Sequence, residues 1–144
     1  MYDYFSGSTI FDVLVRDTED VTAIADDCIC WVCFLRYTFP QGRVFVVLED
    51  NQVIGCVAYH RHTDARCEMK RLYVKPKYRK LKVGRQLIEK ILTVAKEDGY
   101  SEMVLDTIRP LESAIHLYQK YGFQEIAPYY DNPMDDVVYM GRKL

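Results

Sequence analysis

Short apolar runs bounded by turn residues predict a series of strands in the middle of the chain. Residues 43–49 and 53–60 are two such runs separated by Asp50-Asn51, and residues 66–74 form a third that ends before Pro76. A polar pair between two apolar runs is typical of a hairpin turn, and proline ends a strand that needs a backbone donor. The pattern therefore predicts three consecutive antiparallel strands.

Apolar residues then recur at helical spacing in two segments. The first begins at Val83 and ends before Gly99, and the second covers residues 111–121 and ends before Gly122. Residues three or four apart lie on one face of a helix, and glycine is favoured just after the last helical turn. Two amphipathic helices are therefore predicted, with a short strand at residues 102–107 between them.

The two ends of the chain complete this pattern. Residues 12–16 predict a first strand, residues 20–36 a helix after it, and residues 123–126 and 137–141 two final strands. This order of elements predicts a mixed α/β domain with one central sheet. We expect a single domain over residues 1–144, because this length suits one core and the sequence has no repeat or linker.

Composition places the protein among globular domains. Hydrophobic residues make up 49% and charged residues 28% of the sequence. No apolar run reaches the roughly 20 residues of a membrane span, and the first residues lack the basic and apolar regions of a signal peptide. We therefore expect a soluble, cytoplasmic protein with no membrane partner.

Five cysteines are present, and three of them lie close together at Cys28, Cys30 and Cys33. An odd number of cysteines without an export signal predicts reduced thiols. A structural zinc site usually takes four ligands in two spaced pairs, and no second Cys/His pair stands out. Core packing is therefore favoured over metal binding for these cysteines, and we expect no metal.

Charge is unevenly distributed, although the net charge is only −2. Residues 66–85 contain nine Lys/Arg and a single acid, Glu68, whereas acids outnumber bases two to one in the rest of the chain. A basic region on an otherwise acidic protein indicates a compact anionic ligand. Nucleic acid is a weaker interpretation, because the acidic remainder would repel it.

The basic region runs from a strand through a turn into the first amphipathic helix. A helix start presents unpaired N–H groups and the positive end of the helix dipole, which together bind anions. A phosphate or pyrophosphate is the simplest ligand, and a solvated Lys/Arg loop is the alternative. The glycine patterns of a P-loop and of a dinucleotide-binding turn are both absent from the sequence.

The motif Arg79-Lys-Leu-Lys-Val-Gly84 follows a strand and leads into the first amphipathic helix. It is similar to the acyl-CoA signature of the GNAT superfamily of N-acyltransferases, Arg/Gln-x-x-Gly-x-Gly/Ala. Ala114-Ile-His-Leu-Tyr-Gln-Lys-Tyr-Gly-Phe123 resembles the family's helix followed by Gly-Phe, and Glu68-Met-Lys-Arg-Leu-Tyr-Val-Lys-Pro resembles its preceding strand. The resemblance covers roughly residues 49–126. It implies a mostly antiparallel sheet that is splayed at the cofactor site and flanked by helices.

The sequence departs from the family pattern at two positions. Lys82 replaces the first glycine of the signature, where a side chain would crowd the pyrophosphate, restrict the turn or instead add a phosphate contact. Leu111 stands where many members have an asparagine, so that one contact to the pantetheine arm of the cofactor is absent or supplied elsewhere.

The resemblance implies which residues would hold acetyl-CoA. Backbone groups of the splayed strand would contact the pantetheine arm, and amides of the turn and helix start would hold the pyrophosphate. The implied cofactor-binding residues are Leu72, Tyr73, Val74, Arg79, Lys80, Leu81, Lys82, Val83, Gly84, Arg85 and Ser113.

Acyl transfer to an amine needs a base for the amine, a donor for the carbonyl oxygen and an acid for the departing thiolate. Glu68 is the candidate base, because it lies on the strand where the family often holds its catalytic glutamate. The alternative is a surface glutamate paired with Arg66 or Lys70.

Tyr118 is the candidate acid, because it matches the family's thiolate-facing tyrosine and a phenol stays protonated at neutral pH. The alternative is an aromatic residue that packs on the buried helix face.

The acceptor pocket is less well marked. Residues 129–132 (Tyr-Tyr-Asp-Asn) precede the last strand, where relatives often shape this pocket, and an exposed polar loop is the alternative. Trp31 and Phe34 of the first predicted helix are further candidates for lining this pocket, although core packing is favoured for both. The acidic remainder of the chain favours a cationic acceptor. Three histidines have no assigned role: His60, His62 and His116.

The resemblance thus implies an N-acetyltransferase that moves an acetyl group from acetyl-CoA to a primary amine of a small molecule or peptide, through a tetrahedral intermediate. The alternative is a domain that binds acyl-CoA as a sensor or interaction module. Lys82 supports that alternative, and the presence of both Glu68 and Tyr118 opposes it. An open passage between the two sheet faces would favour the enzyme. Relatives are often dimers, so the resemblance is also consistent with a homodimer. We expect no nucleic-acid partner.

Overall fold

The computed structural model describes residues 3–5, 8–13, 42–50 and 52–144. Within these residues, eight strands form one sheet, two α-helices follow from the middle of the chain onward, and a 3₁₀ helix precedes the first of them. The strands are β1 (Asp3–Phe5), β2 (Ser8–Val13), β3 (Gly42–Glu49), β4 (Gln52–Arg61), β5 (Arg66–Val74), β6 (Glu102–Ile108), β7 (Gln124–Glu125) and β8 (Val137–Lys143). The helices are η1 (Pro76–Leu81), α1 (Val83–Glu97) and α2 (Glu112–Lys120).

The strands lie in the sheet almost in chain order, β1-β2-β3-β4-β5-β6-β8-β7. Every neighbouring pair is antiparallel except β5 and β6, which are parallel. Parallel strands need a long crossover, and α1 supplies it here. The predicted mixed α/β fold with a mostly antiparallel sheet is therefore confirmed.

From β3 onward the predicted strands and helices are present, with ends that differ by one or two residues. At the amino-terminal end, the predicted strand at residues 12–16 begins too late. The observed strand β2 begins at Ser8 and pairs with β1, and residues 14–16 lie outside the described residues. With three residues, β1 is too short for a two-residue period to be recognised. The predicted helix at residues 20–36, which includes Trp31, Phe34 and the cysteine cluster, lies outside the described residues.

Both α-helices pack on the same face of the sheet. Leu87, Ile88 and Ile91 of α1 and Tyr118 of α2 are buried there against inward-facing residues of the central strands. These strand residues include Phe45, Val57, Tyr59, Cys67, Met69, Met103 and Leu105. Removing this apolar surface from water is the main favourable contribution to the fold.

Asp98 fixes the carboxyl end of α1 to the sheet. Its carboxylate accepts two hydrogen bonds from the Arg43 guanidinium, at 2.7 Å and 2.8 Å, and a third from the hydroxyl of buried Tyr59. Two parallel N–H···O bonds from a guanidinium hold both partners in one orientation. The helix that follows the basic turn is therefore held at its far end by β3 and β4.

Gly55 allows the other end of α1 to lie close to the sheet. A Cβ at this position would come within 3.1 Å of the Tyr73 carbonyl oxygen, 3.2 Å of Val83 Cγ1 and 3.3 Å of Leu87 Cδ1. A side chain here would have to push β5 or α1 away. Glycine at this position therefore places the amino end of α1 directly beside β5.

The described segments contain two buried cysteines, and they contain neither a metal-ligand cluster nor a helix suited to crossing a membrane. Cys56 and Cys67 are buried thiols, and no cluster of three His, Cys, Asp or Glu side chains suited to a metal ion occurs in the described segments. No helix in these segments is both long enough and apolar enough to cross a membrane.

Lys82 joins η1 to α1 in the left-handed backbone conformation, with φ 61° and ψ 19°. Its side chain makes no capping hydrogen bond to the helix. A residue with a Cβ pays about 1–2 kcal/mol to adopt this conformation, and glycine does not. The turn thus forms with lysine in the position that the family signature gives to glycine, at a cost in stability.

We therefore expect Lys82→Gly to raise the free energy of unfolding by about 1 kcal/mol, because glycine removes the steric cost of the left-handed conformation. Urea denaturation followed by circular dichroism measures this change. Lys82→Ala is the control, since it removes the charge but keeps the Cβ, and it should give no such gain. Equal gains for both variants would attribute the effect to charge and contradict the backbone explanation.

Candidate functional site

An opening lies between β5 and β6. Their parallel ladder covers three positions and ends at the pair Glu68–Val104, whereas β5 continues to Val74 and β6 to Ile108. Beyond this pair, the β5 edge that faces β6 has no strand partner among the described residues. Backbone groups without a strand partner need another one, and a ligand can supply it.

A bulge bends β5 where it leaves β6. Arg71 and Leu72 of β5 together oppose the single residue Val57 of β4, and Arg71 has a φ of 60°. The Cys56 thiol donates to the carbonyl oxygen of Arg71 at 3.3 Å. An extra residue in one strand interrupts pairing and increases the local twist. The bulge therefore contributes to the parting of the two strands.

A cavity of about 310 Å³ occupies the opening. Met69, Leu105 and Tyr118 line it from the sheet face that the helices cover, and Lys70 and Asp106 line it from the opposite face. Neighbouring residues of a strand point to opposite faces, so residues of both sheet faces line the cavity. The remaining lining residues are Arg71, Leu72, Thr107, Ile108, Leu111, Asn132, Met134 and Val137.

Tyr118 projects from α2 into this cavity and is 8% exposed. Its ring packs edge-on against Phe123, with the centroids 6.0 Å apart. Burial, and then the negative charge of Asp106, raise the pKa of Tyr118 to about 12. The phenol therefore keeps its proton over the whole physiological pH range and can act as a hydrogen-bond donor.

Glu68 lies at the last paired position of the ladder, on the opposite sheet face, and is 6% exposed. Its carboxylate accepts hydrogen bonds from Tyr129 Oη at 2.8 Å and Lys70 Nζ at 2.8 Å, and His60 Nε2 lies 2.9 Å away. Burial raises the pKa of Glu68, but hydrogen bonds from His60, Lys70 and Tyr129 outweigh it and hold the pKa at about 2. Glu68 is therefore a permanently charged carboxylate in this arrangement.

Lys70 forms ion pairs with two carboxylates. Its ammonium contacts Glu68 and also Asp106 of β6, on the far side of the opening. Burial lowers the pKa of Lys70, and hydrogen bonds to Asp106 and Glu68 outweigh this and raise it overall. The site therefore contains a fixed cation between two fixed anions.

The loop between β7 and β8 covers this charged cluster with tyrosines. Tyr129 donates to Glu68, and Tyr130 donates to Asp106 at 2.6 Å. The rings of Tyr129, Tyr130 and Tyr139 lie against one another, with centroids 5.2–5.4 Å apart. Asn132 donates to the Tyr130 hydroxyl at 2.7 Å. The loop is therefore fixed over the opening by hydrogen bonds to both carboxylates.

The start of α1 has the properties of a phosphate-binding site. No side chain caps its first turn, so the first amides of the helix lack intrahelical acceptors. A Cβ added to Gly84 would lie 3.7 Å from Leu117 Cδ2 and 3.8 Å from Val74 Cγ2, so Gly84 places the helix start between α2 and β5. The exposed side chains of Arg79, Lys80, Lys82 and Arg85 surround the turn, and these groups fit a pyrophosphate.

The other predicted cofactor-binding residues differ in their surroundings. Leu72 lines the cavity, and Val74 accepts a hydrogen bond from Arg79 Nε at 3.0 Å. Tyr73 and Leu81 are exposed at 38% and 58%, and both border the basic turn. The Val83 side chain is buried in the core, so only its backbone faces a ligand. Ser113 is exposed in the first turn of α2 and does not line the cavity.

Sequence reasoning missed several residues of the cluster. Lys70 was considered only as a surface partner of Glu68, Asp106 was not considered, and His60 had no role. The sequence predicted that the tyrosines of residues 129–132 lie near the acceptor pocket, with an exposed polar loop as the alternative interpretation. The missing information is the parallel register of β5 and β6, which joins segments 36 positions apart and leaves no local signal in the sequence.

Comparison with known proteins gives one family. The model of the acetyltransferase (GNAT) family matches residues 9–123. An uncharacterised N-acetyltransferase of Schizosaccharomyces pombe is 44% identical over 107 residues, which are 73% of this chain and 66% of that protein. The chain thus spans just under two thirds of that relative, and the match to a Dictyostelium discoideum relative covers 37% of its length.

Solved structures agree on the fold. An acetyltransferase from Streptococcus agalactiae superposes with a TM-score of 0.76 at 23% identity, over 97% of this chain and 100% of that one. A GNAT family acetyltransferase from Elizabethkingia anophelis with acetyl-CoA bound gives a TM-score of 0.71 at 21% identity, over 97% and 100%. Together with the splayed parallel pair and the basic helix start, these matches establish that the chain belongs to the GNAT acetyltransferase family.

Proposed function

We propose that the protein transfers an acetyl group from acetyl-CoA to a primary amine of a small molecule or peptide. The observation that carries this proposal is a cavity lined from both faces of the sheet. Tyr118 lines it from the helix face, and Lys70 and Asp106 line it from the opposite face. Glu68 does not line the cavity itself, and its carboxylate reaches the cavity wall through its contact with Lys70. A cavity lined from both faces suits a reaction in which two substrates meet between the strands.

The basic turn and β5 would hold acetyl-CoA. The uncapped amides at the start of α1 and the side chains of Arg79, Lys80 and Arg85 suit the pyrophosphate. The unpaired edge of β5 near Leu72 suits the amide groups of the pantetheine arm, which can hydrogen-bond like a neighbouring strand. When bound, the cofactor supplies the acetyl thioester. The Elizabethkingia anophelis structure with acetyl-CoA bound supports this assignment at the level of the fold.

Tyr118 would act as the acid for the departing sulfur. A thiol has a pKa of about 8.5, so a nearby donor assists its departure as a thiolate. Tyr118 keeps its proton because its pKa is about 12. Its side chain is buried, and in a site shielded from water a hydrogen bond to a developing anion is stronger than in water.

Glu68 would accept the proton of the amine. A carboxylate with a pKa of about 2 cannot deprotonate a free ammonium efficiently. It can take the proton once the carbon–nitrogen bond has formed, because the nitrogen is then far more acidic. Its fixed negative charge also favours the approach of a cationic amine from the tyrosine-covered face. The acceptor therefore has to lose one proton to solvent before it attacks.

A non-catalytic acyl-CoA-binding domain is the second candidate, and Lys82 in the glycine position is the observation that favours it. The structure of the turn weakens this argument, because Lys82 already adopts the left-handed conformation that favours glycine. The cavity is also lined from both faces of the sheet, whereas a binding domain needs access from the cofactor side alone.

The first test is a calorimetric titration with acetyl-CoA, beside desulfo-CoA and ATP, followed by an amine panel. We expect acetyl-CoA to bind well above ATP and at least one amine to be acetylated. In Tyr118→Phe, we expect kcat to fall by about 100-fold or more while the acetyl-CoA Kd stays within about threefold, because a general acid acts on the transition state.

Tyr121→Phe is the matched control for this experiment. Tyr121 follows α2 directly and its hydroxyl donates to Glu89 at 2.7 Å, but it does not line the cavity. Its loss should leave kcat within about threefold of the wild-type value. Equal losses of kcat in both variants would remove Tyr118 from the chemistry. Binding of acetyl-CoA without transfer to any amine would favour the second candidate.

The pH dependence of kcat/KM should reflect the pKa of the acceptor amine and not the pKa values of Glu68 and Tyr118. The pKa of Glu68 is about 2 and that of Tyr118 about 12, so neither group changes its protonation between about pH 5 and pH 10. We expect kcat/KM to rise about tenfold per pH unit until the pKa of the amine, near 10.4 for a lysine-like acceptor. For two acceptors with different amine pKa values, the midpoint should shift with the acceptor. An identical midpoint for both would show that a group of the protein sets the profile.

A further inference from the structure

Two ion pairs connect β5 and β6 in the same register. Arg66 Nε lies 2.7 Å from Glu102 Oε2, and these two residues face each other in the paired part of the ladder. Lys70 and Asp106 lie four positions further along each strand and have the same offset of 36 residues. The ladder itself, however, has ended at Glu68–Val104. The Lys70–Asp106 ion pair therefore continues the register across the opening, where backbone hydrogen bonds no longer do so.

The surroundings of the Lys70–Asp106 ion pair distinguish it from a loose surface pair. Its side chains are 27% and 18% exposed. Lys70 Nζ also contacts Glu68, and Asp106 accepts a further hydrogen bond from Tyr130. Lys70 Nζ lies 5.7 Å from the centroid of the Tyr130 ring. Isolated exposed ion pairs contribute little, whereas a pair held on several sides keeps one geometry.

No other cation among the described residues contacts both carboxylates. If Lys70 were removed, Glu68 of β5 and Asp106 of β6 would be left as two partly buried anions without their common partner. Like charges repel and each would need new solvation. Relief would come from movement of the two strands relative to each other, and the opening would change its width.

We propose that the Lys70–Asp106 ion pair sets the spacing of β5 and β6 at the opening and so aligns the acetyl group with Tyr118. This inference rests on the proposed acetyltransferase function. Lys70 and Asp106 are positioning residues in this account, because they act through the width of the opening. A displacement of about 1 Å between reacting groups can reduce a rate about 100-fold, so a small change in spacing has a large effect on transfer.

The test compares variants of the two ion pairs. In Lys70→Met, we expect kcat to fall about 10- to 100-fold. The acetyl-CoA Kd should stay within about threefold, because the basic turn provides most of the binding. Lys70→Arg should restore most of kcat, since a guanidinium also bridges two carboxylates. Asp106→Asn should resemble Lys70→Met, and the double variant should be no worse than either single one, because both remove the same interaction.

Arg66→Met is the matched control, because it breaks the other ion pair in the same register while the backbone ladder still holds the strands there. It should change kcat by less than about threefold. Amide hydrogen exchange gives a readout that needs no activity. Exchange across residues 105–108 should increase about tenfold or more in Lys70→Met and should stay unchanged in Arg66→Met.

Each outcome separates this proposal from the proposed function. If the wild-type protein acetylates no amine, the proposed function fails, and hydrogen exchange alone decides whether the Lys70–Asp106 ion pair sets the spacing. If the wild-type protein is active and Lys70→Met and Arg66→Met lose kcat equally, the positioning role is wrong. It is also wrong if Lys70→Met raises only the KM for the acceptor, because Lys70 would then contact the acceptor directly, or if Lys70→Arg is no better than Lys70→Met.

Discussion

The parallel ladder between β5 and β6 ends after three positions, and the site depends on where it ends. A complete ladder would use the backbone groups of both strands and close the sheet. Its early end leaves an edge of β5 for a ligand and a cavity lined from both faces. The bulge at Arg71 and Leu72 bends β5 away, and Gly55 lets α1 begin directly beside that strand. The basic turn and the opening are thus adjacent because of backbone constraints alone.

Electrostatic interactions then give the two faces different roles. On the helix face, Tyr118 is buried among apolar groups and keeps its proton, because its pKa is about 12. On the opposite face, donors surround Glu68 and keep it charged, because its pKa is about 2. Neither group needs to change its protonation for the site to be ready near neutral pH. In this account the acceptor amine is the group that titrates, and Lys70 lies between the two carboxylates beside the opening.

Local sequence signals predicted most of the fold and the part of the site that is contiguous in the chain. The strand, basic turn and helix around Lys82 were recognisable because turn residues, periodicity and the family signature all lie within residues 66–96. The two-residue period could not reveal the three-residue β1. The contacts of Lys70 with Asp106, and of Glu68 with His60 and Tyr129, depend on strand register and loop closure over long separations. No local pattern encodes these contacts, so the charged cluster became evident only in three dimensions.

The most direct test of the account is a crystal structure of the protein with bound acetyl-CoA or a non-hydrolysable analogue. The account predicts that the pyrophosphate lies at the start of α1 and that the pantetheine arm runs along the unpaired edge of β5. The thioester sulfur should then lie within hydrogen-bond distance of the Tyr118 hydroxyl, inside the opening between β5 and β6. A cofactor whose sulfur lies outside this opening, or an opening closed by a continued β5–β6 ladder, would contradict it.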